Sequence, residues 1–193
     1  LQTRNGKRTG AAMVKIAMDM LKEGLINKRT ALLRIEANKL DELLHPIFDR
    51  EAEGKATVIG KGLPASPGAA SGRIVFNADD AEAWVSKEHS DKELSKVILV
   101  RIETSPEDLA GMHAAQGILT ARGGMTSHAA VVARGMGKCC ISGAGSLKID
   151  YKSKTLTANG KVYREGEWIS LNGSRGIVYE GRIKTMHPEL HGD

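Results

Sequence analysis

One run of the 193-residue chain gathers side chains able to do chemistry: Thr120-Ala121-Arg122-Gly123-Gly124-Met125-Thr126-Ser127-His128-Ala129-Ala130. Its residue types predict a strand, a glycine loop and a helix start in succession. Such a junction presents unpaired backbone N–H groups and the positive end of a helix dipole, which together favour an anion. Gly123 and Gly124 let the backbone approach a phosphate closely, and Thr126 and Ser127 offer capping hydroxyls. His128 falls in the first helical turn. A neutral imidazole nitrogen is a nucleophile, and an ordinary histidine, with a pKa near about 6.5, supplies that form at neutral pH. The helix start would stabilise a phosphoryl group once transferred, and Arg122 and Arg134 are candidate counter-charges. The chemistry suggested is covalent, nucleophilic catalysis. The same positions also suit a histidine that merely caps a helix or meets solvent, and a Gly-Gly pair also makes a plain turn.

No other residues compete for this role. Cys139 and Cys140 are adjacent, a spacing that rarely bridges and makes no zinc site, so they are expected in a core strand of a chain kept in a reducing setting. Ser127 beside His128 forms no triad, because neighbouring side chains on a helix diverge. His45, His89, His113, His187 and His191 lack a comparable setting, and Trp84 and Trp168 read as packing residues.

The elements that must position His128 follow from periodicity. Met13, Ile16, Ala17, Met20 and Leu21 have helical spacing across residues 11–23; Asn27 can cap a second helix to about Glu36, and a short third stretch runs over Leu40–Leu44. Residues 1–50 therefore read as a helical arm, and residues 51–62, which lose periodicity, as a linker. Strands are expected at Arg73–Phe76, Lys96–Arg101, Gly117–Thr120 and Cys139–Ser142. Helices are expected after Asn77, after Ser105-Pro106 and from about Ser127 to Arg134, with Ala129 to Val132 packing on the sheet. KTLTANGKVY (154–163) and EWISLNGSRGIVYEG (167–181) carry hairpin signals. The fold class is α/β, in one mixed domain over 63–180.

Composition narrows the partners. The net charge of +5 is spread without a block of like charges, which gives a nucleic-acid role no footing, and no apolar run approaches the roughly 20 residues of a membrane span. No secretory signal opens the chain, and a start at Leu1 without methionine suggests a piece of something longer.

GGMTSHAAVVARGMGKCCISG (123–143) closely resembles the phosphohistidine signature of the PEP-utilising enzymes, the family of the pyruvate, phosphate dikinases, phosphoenolpyruvate synthases and phosphotransferase-system enzymes I. Gly123, Gly124, Thr126, Ser127, His128, Ala130, Ala133 and Arg134 fill the family's GG-x-[TS]-[SC]-H-x-A-x-x-A-R pattern. GKRTG (6–10), LLHP (43–46) and EGEWISLNGSRGIVYEG (165–181) look like the dikinase branch. The resemblance implies a swivelling β/β/α phosphohistidine domain preceded by the helical arm, with His128 as the phosphorylated residue. It implies an ATP-grasp domain on the N-terminal side, to which residues 1–50 would belong. On the C-terminal side it implies an α/β-barrel domain for phosphoenolpyruvate and pyruvate, with residues 181–193 beginning the link to it. Mg²⁺ would serve the whole enzyme without being bound here, and the enzyme would be a homodimer in the cytoplasm or in an organelle such as a glycosome or chloroplast. In plant members the threonine two before the histidine is a regulatory phosphorylation site; that position is Thr126.

Overall fold

The computed structural model describes residues 45–87 and 89–187, and the following refers to these. The helices expected over 11–23, 27–36 and 40–44 lie outside the described residues, as do residues 188–193 and Glu88. In chain order the elements are β1 (Ile47–Phe48), α1 (Arg50–Lys55), β2 (Val58–Lys61), β3 (Leu63–Ser66), β4 (Ala69–Val75), α2 (Ala78–Ser86) and β5 (Val97–Arg101). Then come α3 (Leu109–Ala114), β6 (Gly117–Thr120), α4 (His128–Met136), β7 (Cys139–Ser142) and β8 (Lys148–Asp150). β9 (Thr155–Ala158), β10 (Lys161–Arg164), β11 (Trp168–Asn172), β12 (Ile177–Glu180) and β13 (Thr185–Met186) complete the set.

Strand alternation sorts the core into two layers. Val97 and Leu99 of β5 join Val75, Ile118 and Cys140 on one face, where Ala81, Met112, Ala129, Ala130 and Ala133 of the helices cover them. Ile98 and Val100 point the other way with Ile74, Leu119 and Ile141, onto Leu156, Ala158 and Tyr163 of a second sheet. A strand buried on both faces reads as a continuous apolar run, which is why Val97–Val100 needs no polar alternation. The main sheet has the order β2-β12-β11-β4-β5-β6-β7-β3, and the small sheet β10-β9-β8. β4, β5, β6 and β7 are mutually parallel, with antiparallel strands on both sides of them. The architecture is mixed α/β, with a sheet, a sheet and a helical layer.

The helix boundaries follow from local chemistry. Asn77 accepts from the Asp80 N–H at 2.7 Å and opens α2, with Asp79 and Asp80 in its first turn favoured by the dipole. Ser127 accepts from the Ala130 N–H at 3.3 Å and opens α4, which closes at Gly137 in the left-handed region, φ 67°. Asn159 and Gly160, both with positive φ, form the two-residue turn between β9 and β10 that the Asn-Gly pair predicts.

Four expectations are corrected. Residues 51–62, expected as a linker, form α1 and β2, and β2 pairs with β12. α1 buries no residue, so no apolar period marks it; it forms because Asp49 caps it from the N-terminal side. β4 begins at Ala69, four residues before the expected Arg73. Ala69, Ala70, Ser71 and Gly72 lack strand-forming side chains and are held extended by pairing with β11. Val131, expected to pack on the sheet, is 52% exposed; Ala129, Ala130 and Ala133 take the inner face of α4 instead. The segment expected to start an outgoing link contains β13, which pairs with β1. This ribbon sits at the starting end of the parallel strands, where the Ala69 N–H donates to Pro46 O at 2.9 Å. The loop before His128 leaves from their opposite end, after Thr120.

Candidate functional site

The loop between β6 and α4 is held by hydrogen bonds from three directions. Thr120 donates its hydroxyl to Arg122 O at 2.8 Å, and the Ala121 and Arg122 N–H groups donate to Arg101 O and Ile102 O at 3.2 and 3.0 Å. Ser142 Oγ donates to Gly124 O at 3.3 Å, and the Ser127 N–H donates to the same carbonyl at 3.1 Å. Gly123 takes φ 101°, and a Cβ there would stand 2.8 Å from the Ser127 Cβ.

His128 is therefore the first residue of α4, half-buried, with Ser127 as its cap. Its Nδ1 lies 2.9 Å from Thr104 Oγ1. The hydrogen bond made by one ring nitrogen selects what the other can do. With the ring proton on Nδ1 and donated to Thr104, Nε2 would hold the lone pair.

The other expected site residues divide into two groups. Arg122, Gly123, Gly124 and Thr126 are exposed on the loop, beside His128 in the chain, and Ser127 is half-buried. Arg134, expected as a counter-charge, is a strap: it donates to Ala65 O at 3.0 Å and to Met125 O at 2.7 Å, tying the loop to β3. Thr104 went unnoticed in the sequence. It stands 24 residues before His128, and only the parallel pairing of β5 with β6 brings the two following loops together.

Cys139 and Cys140 are buried, and burial pushes both thiols up, Cys140 to about 12, which suits core residues and not nucleophiles. Grooves of about 490 and 290 Å³ share Ser71, Glu93, Lys96 and Thr185 beside the β1–β13 ribbon, and His128 lines neither. The imidazole is thus half-buried at the end of an exposed loop. Among the described residues no group of three or more His, Cys, Asp or Glu side chains is placed to hold a metal ion. No helix among the described residues is long and apolar enough to cross a membrane.

Residues 94–176 match the family model described as the mobile domain of PEP-utilising enzymes. The whole chain is similar to pyruvate, phosphate dikinase 1, chloroplastic, of Oryza sativa subsp. japonica, at 58% identity over 193 residues. It is 56% identical over 193 residues to pyruvate, phosphate dikinase 2 of Zea mays, and 56% identical over 192 residues to pyruvate, phosphate dikinase of Clostridium symbiosum. The chain spans 20–21% of the length of these relatives. The enzyme I protein nEIt, solved by NMR, matches 52% of this chain and 33% of its own at 22% identity, with a TM-score of 0.33, too loose a superposition to argue from.

Proposed function

We propose, on the premise that residues 94–176 of this chain belong to the mobile domain of the PEP-utilising enzymes, that His128 carries a phosphoryl group between two sites lying on other domains of a pyruvate, phosphate dikinase. The observation that supports the reading is the 2.9 Å contact of His128 Nδ1 with Thr104 inside the matched region, which leaves Nε2 to attack when the ring proton is on Nδ1. From phosphoenolpyruvate, Nε2 forms the N–P bond as the bond from phosphorus to the enol oxygen breaks. The electron pair leaves with the enolate, which takes up a proton to become pyruvate, while the ring keeps its proton on Nδ1 against Thr104. In the opposite sense the phosphoryl group reaches His128 from ATP, and the full reaction joins ATP, phosphate and pyruvate to AMP, pyrophosphate and phosphoenolpyruvate. An ATP-grasp domain and an α/β-barrel domain of the same chain supply those two sites, and Mg²⁺ serves them and not this domain. The domain swivels as a rigid body of the β/β/α type, in a homodimer inside a cell or organelle. Adjacent ends in the β1–β13 ribbon, at the far end of the parallel strands from His128, support such a swing.

Full-length protein incubated with phosphoenolpyruvate labelled on phosphorus tests this. The expected result is an acid-labile, base-stable phosphate on the His128 peptide by mass spectrometry; an unlabelled peptide overturns the carrier reading. The same carrier step would serve a phosphoenolpyruvate synthase or an enzyme I. A phosphate requirement with pyrophosphate release identifies the dikinase, whereas water or a carrier protein as acceptor identifies the others.

Thr126 is the candidate regulatory position, exposed in the turn two residues before His128. A phosphate there sets negative charge beside the incoming phosphoryl group. Thr126→Glu is expected to slow His128 labelling at least about tenfold, and Thr126→Val to leave it within about threefold, both read by rapid quench.

A further inference from the structure

Tyr151 lies in the turn after β8, in the small sheet on the face away from the helices, and the nucleophile's helix does not touch it in sequence or layer. Yet its hydroxyl accepts from the backbone N–H of Ile102, the second residue before Thr104. Its ring lies under the Arg101 guanidinium, 4.5 Å from centroid to carbon. Arg101 in turn donates to Phe76 O at 2.8 Å and faces the Asp108 carboxylate at 3.6 Å. Asp108, only 5% exposed, accepts from the Ser105 N–H at 2.9 Å. The segment Arg101–Ser105 is thus pinned at both ends, by Tyr151 and by Asp108, and Thr104 stands between the pins. The carbonyls of Arg101 and Ile102 also accept from Ala121 and Arg122, so the same segment sets the loop before His128.

A backbone N–H at the exposed end of a strand has water for a partner and needs no tyrosine to satisfy it. Stacking under Arg101 asks only for an aromatic ring, so packing does not account for the hydroxyl of Tyr151, which is 37% exposed. We propose that Tyr151 is a positioning residue for His128, fixing the loop that aims the Thr104 hydroxyl at Nδ1, a role that rests for its purpose on the carrier reading. Loss of the Tyr151 hydroxyl frees the Ile102 end of the segment, lets Thr104 drift from Nδ1, and lowers the share of rings whose lone pair is on Nε2.

The test uses carbethoxylation of His128 by diethyl pyrocarbonate in the full-length protein, followed by peptide mass spectrometry. That reaction reads the imidazole lone pair and needs no phosphoryl donor. Thr104→Val is expected to slow it about fivefold, the worth of one net hydrogen bond, and Tyr151→Phe about threefold. The Phe variant keeps the ring under Arg101, and with it the fold. The double variant is expected to be no slower than Thr104→Val alone, since both act on one contact, and Thr104→Ser is expected to restore the rate. A wild-type rate in Tyr151→Phe, or a double variant slowed by the product of the two single effects, overturns the proposal. Labelling from phosphoenolpyruvate is measured beside it. Non-additive carbethoxylation with no phosphate label on the wild type sinks the carrier reading and leaves the positioning role standing; a label with multiplied effects does the reverse.

Discussion

On the proposed carrier role, replacing His128 by alanine is expected to abolish the phosphate label and to lower turnover of the full-length protein by at least about four orders of magnitude, the scale seen when a covalent nucleophile is removed. No neighbour can take over. The Ser127 hydroxyl is occupied as the cap of α4, and the two cysteines are buried in β7 with their thiols held protonated. Thr126 has an unactivated hydroxyl. The fold tolerates the change, because His128 makes one side-chain hydrogen bond, to Thr104, worth about 1 kcal/mol. Alanine is moreover a favourable helix residue at that position. The unfolding midpoint should therefore move by only a few degrees, roughly 2–4 °C. Steady-state assay and thermal unfolding of the same preparation separate chemistry from stability. Wild-type turnover would instead mark the domain as a non-catalytic docking module.

How much of this was legible in the residues depended on the kind of interaction involved. β6 and β7 have the bounds their apolar runs predict, Gly117–Thr120 and Cys139–Ser142. The caps at Asn77 and Ser127 lie where polar residues precede an apolar period. These are local signals. What stayed hidden was set by pairing at a distance. Ala69–Gly72 becomes strand because β11 runs beside it, and α1 and β2 form with little apolar surface to announce them. The site divides along the same line. The glycine loop, its cap and His128 are contiguous and stood out as a unit, whereas Thr104 meets His128, and Tyr151 meets Ile102 in the segment that holds Thr104, only through the arrangement of β5, β6 and the small sheet. Arg134 is instructive because its charge suggested a phosphate contact, while its two carbonyl bonds make it part of the loop's frame. A guanidinium engaged this way still contributes positive potential near the loop, but it does not move toward a ligand without releasing Met125.

Gly123→Ala tests whether the loop geometry, apart from His128 itself, carries the proposed transfer. Gly123 has φ 101°, a region in which a side chain is strained by about 1–3 kcal/mol. The new Cβ would also stand 2.8 Å from the Ser127 Cβ and 3.0 Å from its Oγ, contacts that force the cap to move. Losing the Ser127 cap costs about 1 kcal/mol more. The combined penalty falls within the 5–15 kcal/mol margin of a typical domain, so the variant should fold, with an unfolding midpoint several degrees lower. The effect on transfer should be much larger. His128 is the residue directly after Ser127, so a shifted cap turns the start of α4 and carries the ring away from Thr104. A misplacement of about 1 Å at a reacting group can cost on the order of 10²-fold. Labelling of His128 from phosphoenolpyruvate is accordingly expected to slow by about 100-fold in Gly123→Ala. Gly124→Ala sets the control: a Cβ there meets nothing within 4 Å, and its φ is not in the strained region. It should label within about threefold of the wild type if the two glycines serve only the backbone path. A comparable loss at Gly124 would show instead that the open surface itself, and not the turn at Gly123, is what the phosphoryl donor requires.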